Sequence, residues 1–395
     1  MKTTYIDAIS HTNTAKLGEN SRTLLRVPQH FKCKSNLRVL GINVQIKNTD
    51  DTALKTQVKW LNRGGIWSCV DQITLRSSNG EEIDVIRNVG AYCDNIWGVK
   101  NSNSYHRDFL TVLTGCPTGY KLNEETALLT TANNFDSPLI EQQEYTLNLD
   151  SMIDYLKKVQ YISDGIEIEI LWTNPFLNAA GVTPIYNLYI PQNPVLAIDE
   201  VFENVSSPST VVFEQVWSDI VQISGSPQNT LAQVQNVQQR LKSCEGYFVS
   251  KLALCVYDQT TNKPSQQLGQ IVNFYNDGEI VVQLRGIESI NSCSVLKDCL
   301  GGVELNLPRV QYLNKSVSEA LNSSSQLQDP SEMGSAVNVM GLPLNKRLNE
   351  FLLDYTRLWE GATLSETQTP LNVYIFFWVV REASHDGVST SVRYL

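Results

Sequence analysis

Residues 145–172 read YTLNLDSMIDYLKKVQYISDGIEIEILW. Tyr145, Leu147 and Leu149 recur at every second position. So do Ile166, Ile168 and Ile170, with Glu167 and Glu169 between them. A period of two marks a strand with one buried face. Between these strands, Ser151–Val159 predicts a short helix, with Asp150 or Ser151 as cap and Asp154 in its first turn. The unit is therefore strand, helical insert, turn and strand.

The same alternation recurs on both sides of this stretch. Leu40, Ile42, Val44 and Ile46 face one way while Asn43, Gln45 and Lys47 face the other. Ile73 and Leu75 point inward from Gln72–Arg76, and Ile280, Val282, Leu284 and Val303, Leu305, Leu307 repeat the pattern. Phe248–Tyr257 is more continuously apolar and reads as an inner strand. Val373–Val380, VYIFFWVV, reads as a strand buried on both faces, since eight residues fall far short of the about 20 that cross a bilayer.

Helices are few. Leu348, Phe351, Leu352, Tyr355 and Trp359 form one apolar stripe at helical spacing, so Asn345–Trp359 is the best candidate. Val89–Val99 is another, with Tyr92, Ile96 and Trp97 as its packing face. Thr230–Leu241 is Gln-rich and ambiguous. Strands separated by turn signals, with helices only as isolated inserts, argue against βαβ units and for antiparallel sandwiches.

The chain has 395 residues, enough for about two domains of about 200 residues each. The layout suggests the same number. The first half ends with the helix at 151–159 and the strand Ile166–Trp172, the second with the expected helix at 345–359 and the strand Asn372–Val380. Thr173–Pro184, TNPFLNAAGVTP, reads as the linker. The polar stretches Asn101–Gln143 and Leu321–Gly341 are long enough to be functional or interfacial loops.

Charged residues make up 18% of the chain, and 34 aromatic side chains exclude disorder as a whole-chain description. The net charge of −10 argues against a dedicated nucleic-acid binder. The basic residues gather before Asp50: Lys2, Lys16, Arg22, Arg26, Lys32, Lys34, Arg38 and Lys47. They read as a solvated arm, with contact to an anionic surface as the alternative. The N-terminus has no apolar stretch of the secretory kind. The cysteines at 33, 69, 93, 116, 244, 255, 293 and 299 have no CxxC or zinc-like spacing and read as reduced, mostly buried thiols. The sequons at Asn204, Asn314 and Asn322 then read as chance matches.

The search for chemistry returns no catalytic, cofactor-binding or metal site. No GxGxxG, Walker A, HExxH or GxSxG motif occurs. His106-Arg-Asp108 and His385-Asp386 are potential acid–base pairs but read as polar loop residues. Glu167 and Glu169 lie on one strand face and read as a solvated surface rather than a glycosidase pair. Glu81-Glu82 and Asp50-Asp51 are turn-like acidic clusters with too few oxygens for a hard cation. Trp60, Trp67, Trp97, Trp172, Trp217, Trp359 and Trp378 include candidates for a sugar-stacking platform, but most fall on expected buried faces.

Three segments resemble the double jelly-roll major capsid proteins of tailless icosahedral double-stranded DNA viruses. This is the lineage of adenovirus hexons, polinton-like viruses, virophages and membrane-containing phages. They are Ser35–Ile46, SNLRVLGINVQI; Gly64–Ile86, GGIWSCVDQITLRSSNGEEIDVI; and Tyr145–Trp172. Asn187–Glu203 and Tyr247–Asp258 suit a second roll. The resemblance implies an all-β chain of two consecutive eight-stranded antiparallel jelly-roll sandwiches with short helical insertions. The expected divisions are an N-terminal arm at 1–34, a first roll at 35–180 and a second at 181–395.

It also implies a structural, non-enzymatic role. Three chains would form a pseudo-hexagonal homotrimeric capsomer, and capsomers would tile an icosahedral virion shell. Expected partners are the chain itself, neighbouring capsomers, and penton and minor or cement proteins. An inner membrane or the genome would be met through the basic N-terminal segment. The expected location is the virion, reached without secretion. A carbohydrate-binding or carbohydrate-active β-sandwich is the alternative, and a fibre or penton protein a third reading.

Overall fold

A computed structural model describes residues 2–29, 31–52, 58–59, 65–93, 138–139, 144–175, 186–202, 208–223, 234–259, 263–264, 270–285, 339–358, 370–386 and 389–395. Two antiparallel sandwiches follow one another along the chain. In the first, one sheet joins Lys2–Asp7, Val195–Glu200, Arg38–Asn43 with Cys33–Lys34, and Glu144–Asn148 with Tyr161–Ile162. The facing sheet runs Ser10–His11, Arg22–Val27, Ile166–Trp172, Val70–Ser77, Glu82–Arg87. In the second sandwich, Leu371–His385 lies between Thr210–Ile223 on one side and Phe248–Asp258 and Thr390–Tyr394 on the other. Its opposing sheet runs Val234–Arg240, Phe351–Leu358, Gln270–Asn276, Glu279–Arg285.

The pairing revises the expected divisions. Residues 1–34 are no free arm: Lys2–Asp7 lies along Val195–Glu200, and Arg22–Val27 along Ile166–Trp172. A boundary at 180 would also cut Val195–Glu200 from its partner Arg38–Asn43. The first strand of the second sandwich begins at Thr210.

The helix expected at 345–359 is instead two strands, Val339–Arg347 and Phe351–Leu358, which cross from one sheet of the second sandwich to the other. The apolar stripe at helical spacing also contains a period of two. Phe351, Leu353 and Tyr355 are fully buried, whereas Leu352 is half-buried. The tight connection at 348–350 is held by Asn276 and Asp277, which accept the backbone N–H groups of Asn349 and Glu350. Thr230–Leu241 resolves as the strand Val234–Arg240. The 151–159 insert consists of two turns of helix, Leu149–Met152 and Asp154–Val159, entered from Asn148 and Ile153 rather than from a side-chain cap at 150 or 151. Of the helix expected at 89–99, Val89–Tyr92 is helical. The strand at 303–307 lies outside the described residues, as do 101–137 and 321–338 of the two long loops.

Two bulges shift the alternation. Gly41, at φ 76°, adds a residue opposite Tyr145 and Leu147, so Val39 rather than Leu40 joins Ile42 in the core. Val281 adds one opposite Phe274 and Tyr275 and turns Ile280 outward, where it is 56% exposed. Ile73, Leu75, Ile166, Ile168 and Ile170 are buried as expected, and the side chains of Val282 and Leu284 lie outside the described residues.

Two apolar cores result. One is enclosed by the second sandwich. The other fills the first sandwich and continues into the second through Phe213, Val216, Ala253, Cys255, Phe376 and Trp378. The sheet built on Leu371–His385 is thus buried on both faces, which explains the unbroken apolar run VYIFFWVV.

Candidate functional site

Among the described residues, the most elaborate polar structure is the seam between the sandwiches. Glu82–Arg87 is an edge strand of the first sandwich, with carbonyl groups that no further strand pairs. Side chains of the second sandwich take that place. Arg381 Nη1 donates to Ile83 O and Gln215 Oε1, both at 2.9 Å, and Nη2 to Glu82 O at 3.4 Å. Gln215 Nε2 donates to Val85 O at 3.2 Å, and Ser218 Oγ to Arg87 O at 3.5 Å. The edge is covered by side chains, which satisfies buried backbone groups and blocks pairing with another chain. Asp154 Oδ2 accepts the Glu214 N–H at 3.0 Å, and Glu81 Oε1 the Val392 N–H at 2.8 Å.

A second polar cluster lies at the C-terminal end of Leu371–His385. His385 Nδ1 is 3.0 Å from Thr390 Oγ1 and 3.3 Å from Asp164 Oδ2, and Thr390 Oγ1 donates to Asp164 at 2.5 Å. The Tyr155 hydroxyl is 3.5 Å from His385 Nε2. Burial acts to raise the Asp164 carboxyl, yet the hydrogen bonds from His385 and Thr390 hold it below the usual carboxylate range. Burial raises the Tyr155 phenol. The His385 side chain is 2% exposed, so the group ties the two sandwiches rather than meeting a substrate.

The remaining sequence candidates resolve into surface and turn structure. Asp386 accepts the Ser389 N–H and hydroxyl within a turn. Glu167 and Glu169 form a ladder with Arg26 at 2.7 Å and Arg76 at 2.9 Å, flanked by Arg22. Asp50 binds Thr52, while Asp51 accepts from Asn187 and Tyr189, which is why both carboxyls lie below their usual range. His106 and Asp108 lie outside the described residues.

Trp67, Trp172 and Trp378 are buried, and half-buried Trp217 packs edge-on against Tyr247 and Tyr394. Trp60, Trp97 and Trp359 are not among the described residues. Cys33, Cys69, Cys93, Cys244 and Cys255 are buried free thiols, and burial pushes Cys33 up to about 12. Among the described residues no group of three or more His, Cys, Asp or Glu is placed to hold a metal ion.

The basic N-terminal quarter is largely engaged within the first sandwich. Arg22, Arg26 and Arg38 pair with Glu169, Glu167 and Asp199, Lys16 with Asp51, and Lys47 lies 4.8 Å from the centre of the Tyr189 ring. Lys2, Lys32 and Lys34 make no salt bridge among the described residues.

Asp84, Arg381 and Gln215 were not singled out in the sequence. The one signal is that Arg381 directly follows the doubly buried run. Asp84, within Glu-Ile-Asp-Val-Ile, alternates as an outward residue. Its register opposite the core residue Leu75, two positions from core residue Ile86, turns it inward instead, and the bulge at Ile83, between the Leu75–Asp84 and Arg76–Glu82 pairs, lets Ile83 be buried as well. Asp84 is 2% exposed, and burial against the pull of the Arg381 charge pushes its carboxyl up to about 8.

The architecture is that of the double jelly-roll capsid proteins. Among solved structures, the chain is similar to the mavirus major capsid protein, with a TM-score of 0.56 and 9% identity over 99% of this chain and 90% of that one. It is similar to the quasi-atomic PBCV-1 virus capsid, with a TM-score of 0.54 and 11% identity over 100% and 97% of the two chains. The Sputnik virophage structure gives 0.52 and 11% over 100% and 88%. No protein-family model matches the sequence, and no curated protein matches it. At these identities the likeness is one of fold, and it extends through both sandwiches.

Proposed function

We propose that the chain is a structural major capsid protein that self-associates as a homotrimer and tiles an icosahedral shell. The observation that carries this reading is the whole-chain match to capsid proteins, in which both sandwiches take part and nearly the full length of each chain is covered. The seam supports it. A capsomer wall needs the two rolls fixed relative to each other, and here they share an apolar core with interlocked hydrogen bonds. The low charged content suits extensive lateral packing, since interfaces deplete Lys, Glu and Asp. We place the division between the rolls within residues 201–209, with the N-terminal strand inside the first.

In this reading the chain is not an enzyme. Its partners are further copies, neighbouring capsomers, and penton and minor proteins, and it resides in the virion. Lys2, Lys32 and Lys34 are the cations left to meet an inner membrane or genome. The test is the solution mass by light scattering, beside negative-stain images. A mass close to three chains of 44.3 kDa with hexagonal outlines is expected. A stable monomer overturns the trimer.

A further inference from the structure

Asp84 is a buried ionisable group that the seam leaves poorly satisfied: among the described residues its carboxylate oxygens find no side-chain donor, and the one hydrogen bond favouring the charged form comes from the Val85 backbone N–H. Its strand partner Val70–Ser77 sets Leu75 opposite it. The charged groups that act on it are Arg381 from Leu371–His385, Asp154 from the helix Asp154–Val159, and Glu82 from its own strand. From Thr390–Tyr394 comes Tyr394, whose ring lies 4.4 Å from the Arg381 guanidinium carbon. From Thr210–Ile223 come Gln215, held by Arg381, and Glu214, paired with Lys251. Arg381 is the one cation in this set that acts on Asp84. Its Nη atoms hold Glu82 O, Ile83 O and Gln215, while its Nε has no partner among the described residues. A neutral carboxyl is tolerated in such a place, but a carboxylate with a single backbone donor is not.

We propose that Asp84 and Arg381 form a proton-operated latch between the two sandwiches. While Asp84 keeps its proton, Arg381 holds the edge strand Glu82–Arg87 and supports Tyr394. When the proton leaves to solvent, the carboxylate requires donors beyond the Val85 N–H, and Arg381 is the cation whose charge acts on it. Turning to Asp84 breaks its bonds to Ile83 and Gln215 and withdraws it from Tyr394. The seam and the C-terminal strand loosen together. The latch is a property of the single chain and stands whether or not the chain forms a shell.

The test is a pH series on the purified full-length protein, from about pH 5 to about pH 9, following melting temperature and tryptophan emission. Trp378 in the seam and Trp217 beside Tyr394 are the reporters. Wild type is expected to lose melting temperature steadily from about pH 5 to about pH 8 and to level off above it, because only the folded state holds the Asp84 proton in that interval, and its emission is expected to shift red as pH rises through about 8. Asp84→Asn keeps the shape, removes the proton and should give a flat profile. Asp84→Leu, which extends the apolar core, should do the same if the Asn variant folds poorly. His385→Gln changes the other cluster and should retain the wild-type slope. A loss with rising pH that persists in a folded Asp84 variant, or that vanishes in His385→Gln alone, overturns the latch.

Discussion

Phe376 and Phe377 are consecutive residues in one strand and belong to different cores. Phe376 meets the Tyr92 ring of the first sandwich edge-on at 5.6 Å, and Phe377 meets Phe351 of the second edge-on at 6.0 Å. Successive strand side chains point to opposite faces, so a strand apolar at every position is a wall with a core on each side. The two sandwiches are therefore joined by a shared apolar core as well as the polar seam, unlike domains that move independently across a polar interface alone.

Double-mutant cycles test this division. Phe376→Ala and Phe377→Ala should each cost about 3–5 kcal/mol in denaturant unfolding. Phe376 should couple to Tyr92→Leu, and Phe377 to Phe351→Leu, by about 0.5–1.5 kcal/mol. Phe376 with Phe351, on opposite faces of the wall, should show near-additive losses. Equal coupling for the matched and crossed pairs would contradict the two-core arrangement.

Gly165 sits at φ 77° where Ile166–Trp172 begins, and a Cβ there would lie 3.0 Å from Val27 O and 3.1 Å from Gln29 Cα. Gly80, at φ 87° in the turn after Val70–Ser77, has nothing within 4 Å of such a Cβ. Gly165→Ala should lose about 2–4 kcal/mol, conformation and clash together, and Gly80→Ala only the about 1 kcal/mol of conformation. Melting temperatures of the two variants check the difference, and similar losses would count against the close approach.

The sequence made the strands legible wherever one face is wet. Ile166, Ile168 and Ile170 alternate with Glu167 and Glu169 because the latter reach solvent and the Arg26 and Arg76 side chains. It also marked the wall, since only burial on both faces explains VYIFFWVV. It misread Asn345–Trp359 because Phe351 and Tyr355 belong both to the helical stripe and to the alternating set Phe351, Leu353 and Tyr355, and Asn276 and Asp277, from a distant segment, hold the turn at 348–350 that separates the two strands. The seam was not legible. Asp84 shares the inward face of Ile86 while its neighbour Ile83 is buried through a bulge, and Arg381 finds its acceptors on a strand 298 residues away. No local pattern encodes either.

The ladder of Glu167 and Glu169 with Arg22, Arg26 and Arg76 lies on an open face, with Arg26 57% exposed. Exposed pairs contribute little. Changing both glutamates to glutamine should alter stability by less than about 1 kcal/mol, and added salt should erase the change. Circular dichroism melts at low and high salt are sufficient. A large, salt-independent loss would instead assign the ladder a structural role that its exposure does not suggest.

Asp164 should control the acid limb of stability. Its folded carboxyl lies below the usual range because His385 and Thr390 bind the charged form. A depressed value contributes stability that is present above the ordinary carboxylate range and is lost as pH falls through the folded value. Asp164→Asn should cost about 1–3 kcal/mol near neutral pH, since it weakens a buried, charge-assisted bond set. It should then lose less than wild type as pH drops, so the two unfolding curves converge in acid. Urea titrations from neutral pH downward measure that convergence, and parallel curves would show that Asp164 is not the group being protonated.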